Sequence, residues 1–236
     1  MSRKTFQRLA LDERRQSLME ATLTCVARHG LDGTTVRRIT EEAGVTPGLV
    51  RHYFGSKDEL IKNAYAYLIG QLTARASESA DTGEDGPPAA QQLRQFLLGN
   101  LTSPNLSEDK VSLWATFIGQ IRHDPFFAEI HREGYREFLE FLERLVEGVL
   151  IDHGLPHRGP QCRRHAIAIN GLIDGLWMEG SLNSGLYNRA ILPDLAIEAT
   201  ERLLGLPAGA LGTAGPAPHA PASQLQEEIA PCAMPE

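Results

Sequence analysis

Apolar residues recur along this chain at three- and four-residue intervals, the spacing of a helix face, and no segment sustains the alternation of a strand. From Leu11 to His29 the stripe is Leu18, Ala21, Cys25 and Val26, and Gly30 ends it. A longer segment from Lys57 toward Ala76 keeps Leu60, Ala64, Leu68 and Leu72 on one face. Residues 77–88 then lose nearly all large apolar side chains and close on two prolines, which marks a linker. Beyond it Leu93, Phe96 and Leu97 predict a helix over Ala89–Leu101, and Trp114, Phe117, Ile118 and Ile121 predict another after the cap Ser107. Asp124-Pro125 opens a long helix that carries Phe127, Ile130, Phe138, Phe141, Leu142, Leu145 and Val149 before Gly154. The segment from Pro160 to Leu182 is apolar almost all round and therefore needs cover on more than one side. Pro193–Leu204 is the last helix, so the pattern predicts an all-α fold of about nine helices.

The stretch Thr35–Glu59 has the densest local signals. Thr35 can cap a helix from Val36 to Ala43, Gly44 supplies a tight turn, and Thr46-Pro47 caps and opens a second short helix ending near Tyr53 or Phe54. Val36, Ile39 and Ala43 can meet Val45, Leu49 or Val50, and Phe54 across that turn, which makes a helix-turn-helix. Ser56-Lys57-Asp58-Glu59 is a capping box at the start of the next helix.

Gly44, Thr46, Gly48, the pair Tyr53-Phe54 and Ser56-Lys57 fall at fixed spacings, and AGVTPGLVRHYFGSKDEL resembles the DNA-binding signature of the tetracycline-repressor (TetR) family over roughly the first seventy residues. Arg51 stands where many members carry an aromatic residue. In a helix-turn-helix the second helix enters the major groove with its N-terminal residues nearest the bases, so Thr46, Pro47, Gly48, Leu49 and Arg51 are the base-contact candidates. Arg51 can bond guanine in bidentate fashion. The resemblance adds His52 or Tyr53, Lys57 and Thr35 as contacts to phosphate. It also implies a homodimer on a palindromic operator, acting as a repressor.

Charge agrees with a DNA-facing end. The chain is net −7, yet residues 1–80 hold 12 Lys+Arg against 9 Asp+Glu, which leaves the remainder strongly acidic. Arg3, Lys4 and Arg8 lie in residues 1–10, expected as a flexible basic arm. Residues 11–76 form the expected DNA-binding domain, 89–206 the ligand-binding and dimerisation domain, and 207–236, rich in Pro, Ala and Gly, a disordered tail. No apolar run approaches the ~18 residues of a membrane span, and three scattered cysteines make no disulfide framework, so a cytoplasmic protein without a membrane partner is expected.

In the second half, Asn170, Asp174 and Trp177 fall on one stripe of the apolar helix. A carboxylate there is costly unless paired, and a carboxylate beside an aromatic face can hold an organic cation. Trp114 and Phe117 on the preceding amphipathic helix complete the ligand-binding candidates. Packing of Trp177 in the core and pairing of Asp174 with a neighbouring group is the competing reading. The run IDGLWMEG at 173–180 and the helix LWATFIGQIRHDPFF resemble the regulatory domain of the choline-responsive betaine repressor (BetI-type) branch, which implies choline as effector. His153, His157, Cys162 and His165 crowd one loop, but Arg158, Arg163 and Arg164 among them argue against a metal site. Neither a cofactor motif nor a nucleophile signature occurs, so an all-helical enzyme and a protein-binding adaptor are the rival functions.

Overall fold

The computed structural model describes residues 3–78, 87–103, 105–182 and 185–212. Among these the fold is entirely helical: α1 (Arg3–Gly33), α2 (Val36–Glu42), α3 (Pro47–Phe54), α4 (Lys57–Glu78), α5 (Ala89–Leu101), α6 (Glu108–Ile118), α7 (Pro125–Asp152), α8 (Gly159–Leu182) and α9 (Leu192–Leu204), with a 3-10 turn at Arg189–Ile191.

Three of the predicted helix starts carry the expected side-chain caps. Thr35 Oγ1 accepts from Arg38 N at 3.3 Å, Ser107 Oγ from Lys110 N at 3.4 Å and Asp124 Oδ1 from Phe126 N at 2.8 Å. The capping box at α4 is half formed: Ser56 Oγ accepts from Glu59 N at 3.1 Å, while the Glu59 carboxylate faces Lys62 Nζ at 3.6 Å. Gly205, with φ 72° and ψ 27°, ends α9, and Leu206 N donates back to Glu201 O at 2.9 Å.

Four apolar clusters organise the described residues; the smallest packs Leu101, Val111, Trp177 and Ala196 together, with Trp114 against them, and the other three set the layout. The head is built around Leu18, Ile39, Val50, Phe54 and Leu60, from α1 to the start of α4. The body packs α5, α7, α8 and α9 around Phe96, Leu142, Val146, Val149 and Ile169. Between them lies a seam of Leu23, Val26, Tyr65, Leu68, Phe117 and Phe127. Helix α4 therefore belongs to both units: Leu60 sits in the head core and Leu68 in the seam.

Two expected boundaries are corrected. Residues 3–10, expected as a flexible arm, continue α1 as helix. Residues 207–212, expected within the disordered tail, fold back under α9: the buried Glu201 carboxylate accepts from Gly209 N and Leu211 N, both at 2.9 Å, and Leu211 enters the body core. An acidic side chain with two fixed acceptors replaces the apolar residues that this segment lacks. Residues 79–86 of the expected linker, and 213–236 of the tail, lie outside the described residues.

Candidate functional site: a DNA-reading face and a cavity with one carboxylate

The DNA-reading face is set by the way α3 divides its residues. Val50 and Phe54 are buried, Leu49 and Tyr53 are half-buried against the head core, and Thr46, Pro47, Gly48, Arg51 and His52 are exposed. The Thr46 hydroxyl makes no capping bond to α3, contrary to its expected capping role; the start of α3 rests on Pro47 at its first turn. Thr46 thus presents an uncommitted hydroxyl. Gly48 has space around it: a Cβ there would meet nothing in the chain within 4 Å. A glycine inside a helix costs about 1 kcal/mol relative to alanine. Among the described residues no close contact requires glycine here.

Flanking groups already have local partners. Lys57 is half-buried and donates from Nζ to Thr34 O at 3.3 Å, which ties the start of α4 to the α1–α2 junction. Its remaining ammonium hydrogens stay available. The Thr35 hydroxyl, which accepts from Arg38 N, still has its own hydrogen to donate. Tyr53 stacks edge-on against His52 with centroids 4.9 Å apart.

The second site is a cavity of ≈ 80 Å³ in the body. Five helices and one loop wall it: Ile69 and Leu72 from α4, Asn100 from α5, Trp114 from α6, Tyr135 and Phe138 from α7, Asn170, Ile173, Asp174 and Trp177 from α8, and Asn105 from the α5–α6 loop. Asp174 is the one formally charged residue in that lining. Its Oδ2 accepts from Asn170 Nδ2 at 3.1 Å and from Tyr135 Oη at 3.4 Å. Burial pushes the Asp174 carboxyl above its ordinary value, and the hydrogen bonds from Tyr135 and Asn170 oppose that rise in part. Burial, then the neighbouring Asp174 charge, pushes the Tyr135 phenol far up, so Tyr135 stays a neutral donor. Trp177 and Trp114 meet edge to face, centroids 6.0 Å apart at 84°. Trp177 is held in place by its Nε1–H, which donates to Asn105 O at 2.9 Å. Asn105 is itself fixed, donating from Nδ2 to Gly99 O and accepting at Oδ1 from Lys110 Nζ.

Of the ligand-binding candidates, Trp114, Asn170, Asp174 and Trp177 come together on this cavity, and Phe117 does not. Phe117 is fully buried in the seam, stacked between Tyr65 at 4.8 Å and Phe127 at 5.8 Å. Three residues further along α6 than Trp114, its side chain is rotated about 60° around the axis and meets α4 and α7 instead of α8. Tyr135, Asn100 and Asn105 were missed because a tyrosine on an amphipathic helix and two asparagines at helix or loop ends carry no distinctive spacing. Among the described residues no group of three or more His, Cys, Asp or Glu side chains is placed to hold a metal ion. His153 Nδ1 and His157 Nδ1 bond backbone carbonyls, and the Cys162 thiol bonds His157 O at 3.4 Å.

A helix-turn-helix head on a helical body defines a transcription regulator of the two-domain, all-α kind. Residues 18–64 match the model of the tetR family of bacterial regulatory proteins, and residues 89–205 that of the BetI-type transcriptional repressor C-terminal domain. The HTH-type transcriptional regulator BetI of Stenotrophomonas maltophilia is 33% identical over 176 residues, 74% of this chain and 85% of the relative. A solved transcriptional regulator from Pseudomonas aeruginosa PAO1 superposes with TM-score 0.69 at 27% identity, covering 82% of this chain and 89% of its own. Another, from Saccharomonospora viridis in complex with choline, has TM-score 0.66 at 17% identity over 78% and 94% of the two chains and shares the fold. The chain belongs to the TetR family of transcriptional regulators, with a C-terminal domain of the BetI type. Among the described residues no helix is long and apolar enough to cross a membrane.

Proposed function

We propose that this protein is a dimeric cytoplasmic repressor that occludes a palindromic operator and releases it when a small organic cation, choline first among them, enters the body cavity. The observation that carries the effector class is the single carboxylate, Asp174, in an otherwise uncharged cavity with two tryptophans. A cation on a desolvated tryptophan gains about 2 kcal/mol, and the carboxylate rejects anions. The choline complex of the Saccharomonospora viridis regulator supports the same class. Ile69 and Leu72 give the ligand direct contact with α4, and Tyr65 one turn earlier meets His131 Nδ1 at 3.4 Å, so occupation of the cavity bears on the helix that carries the head. Effector action requires only that the ligand prefer one spacing of the two heads.

The dimer reading rests on the outer faces of α8 and α9. Arg164, Ala168, Gly171, Gly175, Met178 and Leu182 are all exposed and recur at alternating four- and three-residue steps, the seam of two packed helices. Ile191 in the 3-10 turn and Leu195 and Leu203 on α9 are exposed apolar residues as well. A Cβ at Gly171 or Gly175 would meet nothing in the chain, so these helix-breaking residues serve a close approach by a second copy. Met178→Asp combined with Leu182→Asp is expected to yield a monomer in light scattering at micromolar concentration; an unchanged dimer would place the interface elsewhere.

Retention of operator DNA in a gel, with and without choline or its neutral isostere 3,3-dimethylbutan-1-ol, tests the function. Release by choline alone is expected, and equal release by the neutral alcohol would remove the cation from the reading. At the reading face, Arg51→Ala is expected to lower discrimination between operator and scrambled DNA by ~1–3 kcal/mol. Lys57→Ala should weaken binding to both and flatten the salt dependence by about one phosphate contact. Thr35, Thr46, Pro47, Gly48, Leu49, His52 and Tyr53 complete the proposed contact set around these two.

A further inference from the structure

Helix α3 is eight residues long and fully buries only Val50 and Phe54. Leu49 and Tyr53 add half-buried packing against the same core, and so narrow an apolar stripe resists translation of a helix better than rotation about its axis. Side chains on a helix 10–12 Å across lie about 5–6 Å from the axis, so a roll of roughly 10° moves their tips by about 1 Å. A paired contact to a base edge tolerates only about half that displacement. A polar anchor at the end of α3 adds to what this packing does to set its roll.

Arg15 occupies the required place. It is half-buried on α1, one turn before Leu18, which lies fully buried in the head core. Its Nη1 donates to Tyr53 O at 3.5 Å, and its guanidinium carbon lies 5.0 Å from the centroid of the Phe54 ring. Tyr53 O belongs to the last turn of α3, whose carbonyls have no partners within the helix and form the negative end of its dipole. Gly55 N closes the helix end on Arg51 O at 3.1 Å, and the Arg15 bond ties another carbonyl of that turn, Tyr53 O, to α1. Among the described residues no acidic side chain is paired with Arg15.

We infer that Arg15 is a positioning residue for DNA reading: anchored on Tyr53 O and Phe54, it fixes the rotation of α3 and with it the direction in which Arg51 and His52 leave the helix. It acts through α3 and not on DNA itself. The competing role for a basic side chain in this head is a phosphate contact, and the two roles differ in what they do to specificity and to salt dependence.

The test uses the full chain and an operator selected by the wild-type protein from random-sequence DNA. Affinities of wild type, Arg15→Met and Arg15→Lys are measured for that operator and for a scrambled duplex across a salt series, with thermal melts alongside. Arg15→Met keeps the apolar stem and loses the cation. It is expected to lose about tenfold on the operator and less than about twofold on scrambled DNA, with an unchanged salt slope; Arg15→Lys, which restores a cation over Phe54, recovers most of the operator affinity. Equal losses on both duplexes with a slope smaller by about one phosphate would make Arg15 a DNA contact and overturn the inference. An unchanged ratio of operator to scrambled affinity would overturn it as well. If Arg15→Met melts below the assay temperature, Arg15→Gln, which keeps a donor, takes its place and the same ratio decides.

Discussion

Asparagine in place of Asp174 is expected to weaken binding of a quaternary ammonium effector by about 30-fold or more, because removing one partner of a desolvated charge pair costs on the order of 2–5 kcal/mol. The same substitution should make the ligand-free protein more stable. Burial raises the Asp174 carboxyl above its ordinary value, so the folded state holds this proton more tightly than the unfolded state does. Its contribution to stability is therefore greatest at low pH and falls as pH rises through the raised value. Asparagine removes that ionisation while still offering an oxygen to Asn170 and Tyr135. A gain of about 2–4 °C in melting temperature corresponds to each kcal/mol recovered. Cation binding is expected to run the opposite way in the wild type, strengthening as Asp174 ionises. Calorimetry with choline from about pH 4 to pH 8 should show that rise, and in Asp174→Asn a flat, weak response. A pH-independent affinity in the wild type would mean that Asp174 does not meet the ligand.

The second large effect is expected near the C-terminal end of α9. Glu201→Ala removes the acceptor of two backbone amides, Gly209 N and Leu211 N, in a buried setting. Hydrogen bonds to a charged acceptor contribute about 1.5–3 kcal/mol each. A loss of about 3 kcal/mol in urea unfolding is expected, with release of the turn that seats Leu206 and Leu211 in the body core. Hydrogen exchange at Gly209 and Leu211 should accelerate well beyond exchange at Ile169 or Val146, residues of the same cluster held by helix. Uniform acceleration across the body would show that the turn opens only with global unfolding.

What the sequence made legible is what local chemistry decides. Thr35, Ser107 and Asp124 are read as caps because a side-chain oxygen next to a helix start has an amide within reach whatever the rest of the chain does. Trp177 and Asp174 could be placed on one face for the same reason, by helical spacing alone. Asn105 and Tyr135 join the cavity only when the α5–α6 loop and α7 pack against α8, and no local pattern foretells that. Phe117 was assigned to the cavity through its nearness to Trp114 in sequence, yet a 60° difference in direction on α6 sends it into the seam. Residues 207–212 looked too poor in large apolar groups to order, and on composition alone they are. Their order comes from one carboxylate eight and ten residues back, a long-range polar contact that a count of apolar residues leaves out.

Helix α4 touches the head core at one end and forms cavity wall beyond its midpoint, and its 22 residues make a rod about 33 Å long. A rod of that length has mechanical advantage. A tilt of about 5°, with its pivot near the wall formed by Ile69 and Leu72, moves the Lys57 end by about 1–2 Å, and in a symmetric pair the two ends part by twice that, close to the 3.4 Å step between neighbouring bases on a strand. Potency and efficacy of effectors then become separate properties. Two cations held equally tightly by Asp174 and the tryptophans but differing by a methyl group on the α4 side would fill the cavity to the same extent, and the bulkier would release more DNA.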